Sequence, residues 1–150
     1  MNIQTKAIYF DMDGTIADLY NVDGWLELLQ SYDPEPYRKA APLLRLSQLA
    51  RRLNQLQRQG YHLGIISWLS KNSNHRYDEK VVIEKINWLH KHLKSVQWDE
   101  IKIVEYGIPK HKVVNYPNGI LFDDEQKNRV EWIGKAYDET DIINVLKAIS

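Results

Sequence analysis

The stretch AIYFDMDGT, residues 7–15, decides the fold prediction for this chain. It begins with four apolar residues, Ala7–Phe10, the pattern of a short strand buried on both faces. Asp11 and Asp13 follow, and a DG pair then indicates a turn. A plain β-hairpin is the alternative interpretation. Residues 16–20 make a weak partner strand, however, and two such close carboxylates repel each other unless a cation or a proton lies between them.

Further apolar runs alternate with helical patterns along the chain. Residues 62–66, 101–104 and 119–122 predict three more strands, and residues 135–137 predict a weaker fifth. This alternation indicates an α/β domain with a mostly parallel sheet and helices on both faces.

Amphipathic stripes predict the helices between these strands. The first stripe ends at Gly60, which is suited to a helix C-cap, and the second opens at Asp78. Residues 130–133 and 142–149 predict two shorter helices. The stripes comprise Leu43, Leu46, Leu49, Leu53 and Leu56 in the first helix, and Val82, Ile83, Ile86, Leu89 and Leu93 in the second.

Length and composition limit the classes of function. The 150 residues suit one domain, residues 1–150, and 20 basic against 20 acidic residues give a net charge of zero. A neutral chain has no general attraction to nucleic acid or to anionic lipid, so we do not favour a nucleic-acid partner and expect no membrane partner. The absence of Cys excludes disulfides and thiolate chemistry, and with no secretory pattern visible we expect a cytoplasmic protein.

Polar residues follow three of the predicted strands directly. They are Asp11, Ser67 and Asp123. In open parallel α/β sheets, ligands bind at the carboxyl ends of the strands, so these three side chains are candidates for one site.

Four segments, in order, resemble the motifs of the haloacid dehalogenase (HAD) superfamily of phosphotransferases. FDMDGT, residues 10–15, resembles the first motif, and Ser67 resembles the hydroxyl of the second. Lys110 or Lys112 resembles the lysine of the third, and FDDEQKN, residues 122–128, resembles the acidic fourth. The resemblance implies a HAD-like Rossmannoid three-layer sandwich with a small helical cap insert.

The resemblance also implies roles for individual residues. Asp11 would be the nucleophile and form an aspartyl-phosphate, and Asp13 would be the general acid and base. Ser67 and Lys112 would hold the charge of the transferring phosphoryl group. Lys112 is preferred to Lys110 because the segment after it resembles 5'(3')-deoxyribonucleotidases, but a solvated loop lysine is the alternative for either.

A Mg²⁺ site and a substrate-binding set follow from the same resemblance. Asp11, the Asp13 backbone carbonyl and Asp124 would hold Mg²⁺, with Asp123 in a supporting role, and oxygen ligands suit this hard cation. The alternative for Asp123 and Asp124 is helix capping, and Asn128 either orients their loop or lies on a helix surface. The residues assigned to substrate binding are Gly14, Thr15, Trp68 and Lys110.

The cap predicted at residues 19–41 is small and mainly helical. Its predicted apolar face consists of Trp25, Leu26, Leu28 and Leu29, followed by the helix breakers Pro34 and Pro36. The nucleotidases that the chain resembles usually carry a larger cap. Tyr20, Trp25 and Trp68 either stack on a nucleobase or pack within the protein.

Three functions are consistent with these features. The first is a Mg²⁺-dependent phosphatase acting on a small phosphorylated substrate, most plausibly a nucleoside monophosphate. The second is a phosphatase of polynucleotide ends, and the third is a non-catalytic binding protein on a HAD scaffold. A homodimer is compatible with each, since small-capped members of this superfamily often cover the site with a partner subunit.

Overall fold

The computed structural model describes residues 5–150, and its centre is a parallel sheet. The strands are β1 (Ala7–Phe10), β2 (Ala17–Asp18), β3 (Ala41–Pro42), β4 (His62–Trp68), β5 (Glu100–Val104), β6 (Ile120–Phe122) and β7 (Ala136–Tyr137). Five of them form one sheet in the order β5-β4-β1-β6-β7, with every neighbouring pair parallel. The short strands β2 and β3 pair antiparallel in a separate ribbon. The predicted α/β fold with a mostly parallel sheet is confirmed.

Within residues 5–150, five α-helices lie between strands and a sixth follows β7. They are α1 (Trp25–Gln30), α2 (Glu35–Lys39), α3 (Leu46–Arg58), α4 (His75–His92), α5 (Gln126–Glu131) and α6 (Ile142–Ile149). Among the described residues, no helix is both long enough and apolar enough to cross a membrane.

The central strand β1 is buried on both faces, which is why its four residues are all apolar. Ile8 and Phe10 pack on one side in the main core with residues of α3, α4 and α6. Ala7 and Tyr9 pack on the other side in a smaller cluster, which the loop before β6 and Trp132 after α5 help to cover. This burial holds the carboxyl end of β1, and hence Asp11, in the middle of the sheet edge.

The helix stripes need two corrections. Helix α3 begins at Leu46, so Leu43 lies outside it and is 39% exposed. The stripe predicted for the second helix is only partly correct: Leu89 and Leu93 are buried, whereas Ile83 is 57% exposed. The buried residues of α4 are Tyr77, Val81, Lys85, Trp88 and Leu89, a set that contains a lysine.

The segment between β2 and β3 contains the two short helices α1 and α2. Trp25 and Leu29 pack against a cluster that includes Tyr37, whereas Leu26 is exposed. Pro36 stands in the first turn of α2, where proline is tolerated, so it starts this helix rather than breaking one. A hydrogen bond links this segment to α4: the Trp88 indole N–H donates to the Ala40 carbonyl at 2.8 Å.

We expect Leu53→Ala to lower the free energy of unfolding by about 2–5 kcal/mol, because Leu53 is fully buried in the main core. The matched variant Leu43→Ala should change it by no more than about 0.5 kcal/mol, since Leu43 lies outside the helix and is partly solvated. Urea unfolding of both proteins measures the difference. Equal losses would contradict the observed start of α3.

Candidate active site

Three carboxylates meet where β1 and β6 end. Asp11 follows β1, and Asp123 and Asp124 follow the neighbouring strand β6, with one oxygen of each lying within 4.8 Å of the others. The backbone extends this pairing, since the Asp11 amide donates to the Phe122 carbonyl at 2.9 Å. Parallel pairing therefore brings together acidic residues that are more than 100 positions apart in the chain.

Lys110 supplies positive charge inside this cluster. Its Nζ donates to Asp11 Oδ1 at 3.0 Å and to Asp123 Oδ2 at 2.6 Å. Burial alone would lower the pKa of Lys110, but the two carboxylates outweigh it and raise that pKa above its usual value. Lys110 is therefore a buried ammonium bridging two strand ends.

The loop after Asp13 is shaped to let Asp124 approach. Gly14 has a φ of +81°, and a Cβ there would lie 2.4 Å from Asp124 Oδ2, so both conformation and space require glycine. The next side chain, Thr15, donates to Asp11 Oδ2 at 3.0 Å and accepts from the Asp124 amide at 3.1 Å. Gly14 thus leaves space for the Asp124 carboxylate, and Thr15 links Asp11 to the backbone of Asp124 on the side away from the cavity.

Asp123 and Asp124 have different surroundings. Asp123 is fully buried, and its oxygens accept from Lys110, from the Asn128 amide at 3.1 Å and from the Glu125 backbone at 3.0 Å. Asp124 is partly exposed, and among the described side chains only the Thr15 hydroxyl lies within donating distance of its carboxylate, at 3.3 Å, with its single proton shared between Asp124 and Asp11. Asp124 therefore keeps free lone pairs toward the cavity, whereas Asp123 is saturated by protein donors.

Both aspartates have raised pKa values because burial and the neighbouring negative charges disfavour their ionised forms. Burial is the larger cause for each, and the Asp11 carboxylate is the next. Lys110 offsets part of this effect at Asp123. Ionising all three carboxyl groups would therefore place more negative charge here than the single positive charge of Lys110 neutralises.

Asp13 is held separately from this cluster by a second buried lysine. Lys85 Nζ donates to Asp13 Oδ2 at 2.9 Å and to Ser67 Oγ at 2.7 Å. Burial raises the pKa of Asp13, and the charge of Lys85 opposes that rise. Two aspartates two positions apart therefore have different cationic partners.

A cavity of about 500 Å³ opens above these groups. Asp11, Asp13 and Asp124 lie on its lining, together with Lys110. Aromatic side chains make up much of the rest, namely Tyr20, Trp25, Tyr32, Tyr37, Trp68 and Tyr106. Its size is typical of a site for a small molecule.

Backbone strain is concentrated at the same cavity. Among the described residues, the non-glycine positions with positive φ are Tyr32 (φ 60°) and Asn72 (φ 58°). Both line the cavity. Residues other than glycine rarely adopt a positive φ, and the backbone strain at such positions is often found at functional sites.

The structure brings Asp11, Asp13, Asp123, Asp124, Trp68 and Lys110 together and separates the other predicted site residues from the cavity. Lys112 is exposed, so the preference for it over Lys110 does not match the geometry: the lysine at the carboxylates is Lys110. Gly14 and Thr15 lie behind the carboxylates and do not line the cavity, although both were expected to bind substrate. Ser67 is 0% exposed and accepts from Lys85, so its hydroxyl also lies outside the cavity lining.

Two contributors to the site were missed or left open by the sequence. Lys85 was not predicted, although its position four residues after Val81 and three before Trp88 places it on their helix face. Asn128 was equally compatible with a helix surface. Its buried amide donates to Asp123, which is the orienting alternative.

We expect Lys110→Met to lower the free energy of unfolding by about 3–5 kcal/mol in metal-free buffer, because it leaves two buried carboxylates without their cation. The matched variant Lys112→Met should be close to neutral, since that side chain is exposed. Denaturant unfolding at neutral pH measures both. A larger loss at Lys112 would contradict the position assigned to the site lysine.

No protein-family model and no curated protein matches the chain. Among solved structures, it is similar to a crystal structure of D,D-heptose 1,7-bisphosphate phosphatase from Burkholderia thailandensis, with a TM-score of 0.50 and 13% sequence identity. The match covers 83% of this chain and 70% of that chain. At this identity the likeness establishes the fold alone: the chain has a parallel α/β fold similar to that of this phosphatase, and the likeness does not extend to a nucleotidase subtype.

Proposed function

We propose that the protein is a Mg²⁺-dependent phosphomonoester hydrolase that acts through an aspartyl-phosphate on Asp11. One observation carries this proposal: Asp11 and Asp13 line the same cavity but are bound by different lysines, Lys110 and Lys85. Paired carboxyl groups in different environments are suited to different roles, one as a nucleophile and the other as an acid and base. The fold shared with a sugar bisphosphate phosphatase supports the same reaction class.

The donor set fits Mg²⁺. Its members are carboxylate oxygens, which this cation prefers, and burial followed by their mutual repulsion raises the pKa values of Asp123 and Asp124. We assign direct ligation to Asp11, Asp124 and the Asp13 backbone carbonyl, and a supporting role to the saturated Asp123. When bound, Mg²⁺ would neutralise part of the charge that a phosphate ester brings to these carboxylates.

In the first step a lone pair of Asp11 attacks the phosphorus and the bond to the leaving oxygen breaks. The electron pair of that bond goes to the leaving oxygen, which takes its proton from Asp13. The products are an alcohol and an aspartyl-phosphate. The raised pKa of Asp13, caused mainly by burial, favours the protonated form that this step needs.

In the second step Asp13, now a carboxylate, takes a proton from water while the water oxygen bonds to phosphorus. The bond between phosphorus and Asp11 breaks, which releases inorganic phosphate and restores both starting carboxyl groups. Lys110 lies 3.0 Å from Asp11 Oδ1, where its charge stabilises the carboxylate as it leaves.

The substrate that we propose is a nucleoside monophosphate. The rings of Tyr20 and Trp25 are in contact on one part of the cavity lining, with their centroids 5.0 Å apart. The rings of Trp68 and Tyr106 are in contact on another part, also with a centroid distance of 5.0 Å. Stacking of a nucleobase on an aromatic side chain contributes about 1–3 kcal/mol of binding free energy per base. The helices α1 and α2 supply part of this lining, which is the role that we propose for the insert as a lid.

The direct test is phosphate release from 5'- and 3'-nucleoside monophosphates, sugar phosphates and 5'-phosphorylated oligonucleotides, with Mg²⁺ or with EDTA. We expect Mg²⁺-dependent release that is greatest with a mononucleotide, and a loss of at least about 10³-fold in Asp11→Asn, which removes the nucleophile. The matched control Asp23→Asn changes an exposed aspartate outside the cavity lining and should keep wild-type activity.

Each outcome of this assay has a distinct meaning. A preference for the oligonucleotide would replace the mononucleotide by a polynucleotide end as substrate. Absence of release from every substrate by a folded protein with Mg²⁺ would contradict the phosphatase and favour a binding protein.

The pH dependence of stability provides a second test. Carboxyl groups with pKa values raised by folding stabilise the protein below their unfolded pKa, and this contribution is lost as pH rises through the folded pKa. The metal-free protein should therefore lose stability from this site as pH rises from about 5 to about 8. Mg²⁺ binds the ionised carboxylates, so it should raise the melting temperature more at the higher pH.

The control for this measurement is Asp124→Asn, which removes the carboxylate that is freest to bind the metal. Its melting temperature should respond much less to Mg²⁺. An equal Mg²⁺ response at both pH values, or in the wild type and Asp124→Asn alike, would count against the proposed metal site.

A further inference from the structure

Lys85 is a buried lysine in the middle of helix α4. Its side chain is only 1% exposed, whereas lysines on helices usually extend into solvent. A buried ammonium is costly unless every donor finds a partner. The contacts of Lys85 therefore indicate what the residue does.

All three donors of the Lys85 ammonium are used. They go to Asp13 Oδ2 at 2.9 Å, Ser67 Oγ at 2.7 Å and the Trp68 carbonyl at 2.8 Å. The Tyr37 ring lies beside it, with its centroid 5.0 Å from Nζ. These three acceptors and the Tyr37 ring together fix the position of the Lys85 ammonium.

The acceptors come from two different segments of the sheet edge. Asp13 belongs to the loop after β1, and Ser67 and Trp68 form the end of β4. Lys85 consequently fixes the loop that carries Asp13 relative to the neighbouring strand. Because lysine has no acceptor, Ser67 must accept from it, which makes Ser67 a support for the ammonium.

This arrangement also distinguishes the two oxygens of Asp13. Oδ2 is bound to Lys85, and no other hydrogen bond to this carboxyl is found within residues 5–150. Since Asp13 lines the cavity, Oδ1 is the oxygen left to meet a leaving group. A carboxyl group without Lys85 would be free to rotate and to present either oxygen in several orientations.

We propose that Lys85 is the positioning residue of the general acid: it holds Asp13 by Oδ2 so that Oδ1 faces the leaving oxygen of the substrate. This inference rests on the proposed function, in which Asp13 protonates that oxygen. It assigns the catalytic contribution of helix α4 to one side chain that touches Asp13 but does not line the cavity.

The test compares two substrates that differ in their need for a proton. p-Nitrophenyl phosphate has a leaving group that departs with little protonation, whereas a nucleoside monophosphate or glycerol phosphate has an alkoxide leaving group that needs it. Because Asp13 also serves the second step, which is the same for both substrates, the comparison uses kcat/KM, which reports only the steps up to loss of the leaving group. In Lys85→Met, we expect kcat/KM for the alkyl phosphate to fall at least about tenfold more than kcat/KM for p-nitrophenyl phosphate, within the range of a general acid's contribution.

The matched control is Lys80→Met, which changes an exposed lysine on the same helix and should leave both rates unchanged. Asp13→Asn provides the reference pattern, and the double variant Lys85→Met/Asp13→Asn should turn over each substrate no more slowly than Asp13→Asn alone. That result would show that Lys85 acts through Asp13, since a general structural defect would add to the loss.

Folding is checked by circular dichroism. If Lys85→Met does not fold, Lys85→Arg carries the same comparison, because it keeps the buried charge but cannot reproduce the three-way geometry. Equal losses on both substrates in the folded variant would overturn the positioning role while leaving the phosphatase intact. A wild-type protein inactive on both substrates would instead overturn the proposed function, and this inference with it.

Discussion

The contact between Lys110 and the carboxylates of Asp11 and Asp123 is the interaction on which the rest of the site depends. Parallel pairing of β1 with β6 forces acidic side chains together at one edge of the sheet, and this concentration of charge is unfavourable in a buried place. The Lys110 ammonium, at 2.6 Å from Asp123 and 3.0 Å from Asp11, offsets the unfavourable electrostatic energy of these carboxylates. Asp124 has the fewest protein donors of the three carboxylates, which is why we propose it as a direct metal ligand.

Specialisation of the two motif aspartates follows from this arrangement. Asp11 shares its cation with Asp123, whereas Asp13 has Lys85 to itself on the β4 side. The insert with α1 and α2 then adds aromatic side chains over both. Two aspartates with different cationic partners and a set of aromatic side chains thus line one cavity of about 500 Å³, which is the arrangement that the proposed reaction needs.

Local apolar patterns predicted the five strands of the parallel sheet, but not the two-residue strands β2 and β3. The run Ala7–Phe10 is apolar since β1 is covered on both faces, and its bounds agree with the structure. The acidic residues after β1 and β6 were also found, because strand ends in parallel sheets meet at one edge. Each of these features depends on a few neighbouring residues.

The lysines could not be assigned in the same way. Lys110 and Lys112 are two positions apart in a short 3₁₀ helix, and which of them turns inward depends on how that turn packs. Lys85 was overlooked because a lysine interrupts the apolar pattern of α4, so the stripe containing Ile83 looked more regular. The face from Val81 to Trp88 is the buried one because Asp13 and Ser67, from distant segments, neutralise or accept from the lysine within it.

The central claim is that Asp11 carries the phosphoryl group during turnover. The most direct measurement is mass spectrometry of the peptide containing Asp11 after rapid acid quenching of the Mg²⁺-loaded protein with p-nitrophenyl phosphate, in the wild type and in Asp13→Asn. This substrate can form the intermediate with little help from Asp13, whereas hydrolysis of the intermediate should be slowed in the variant. The account predicts one added phosphoryl group on Asp11 that is lost on treatment with hydroxylamine. Phosphate release with no modification of Asp11, or a phosphoryl group found on another residue, would contradict it.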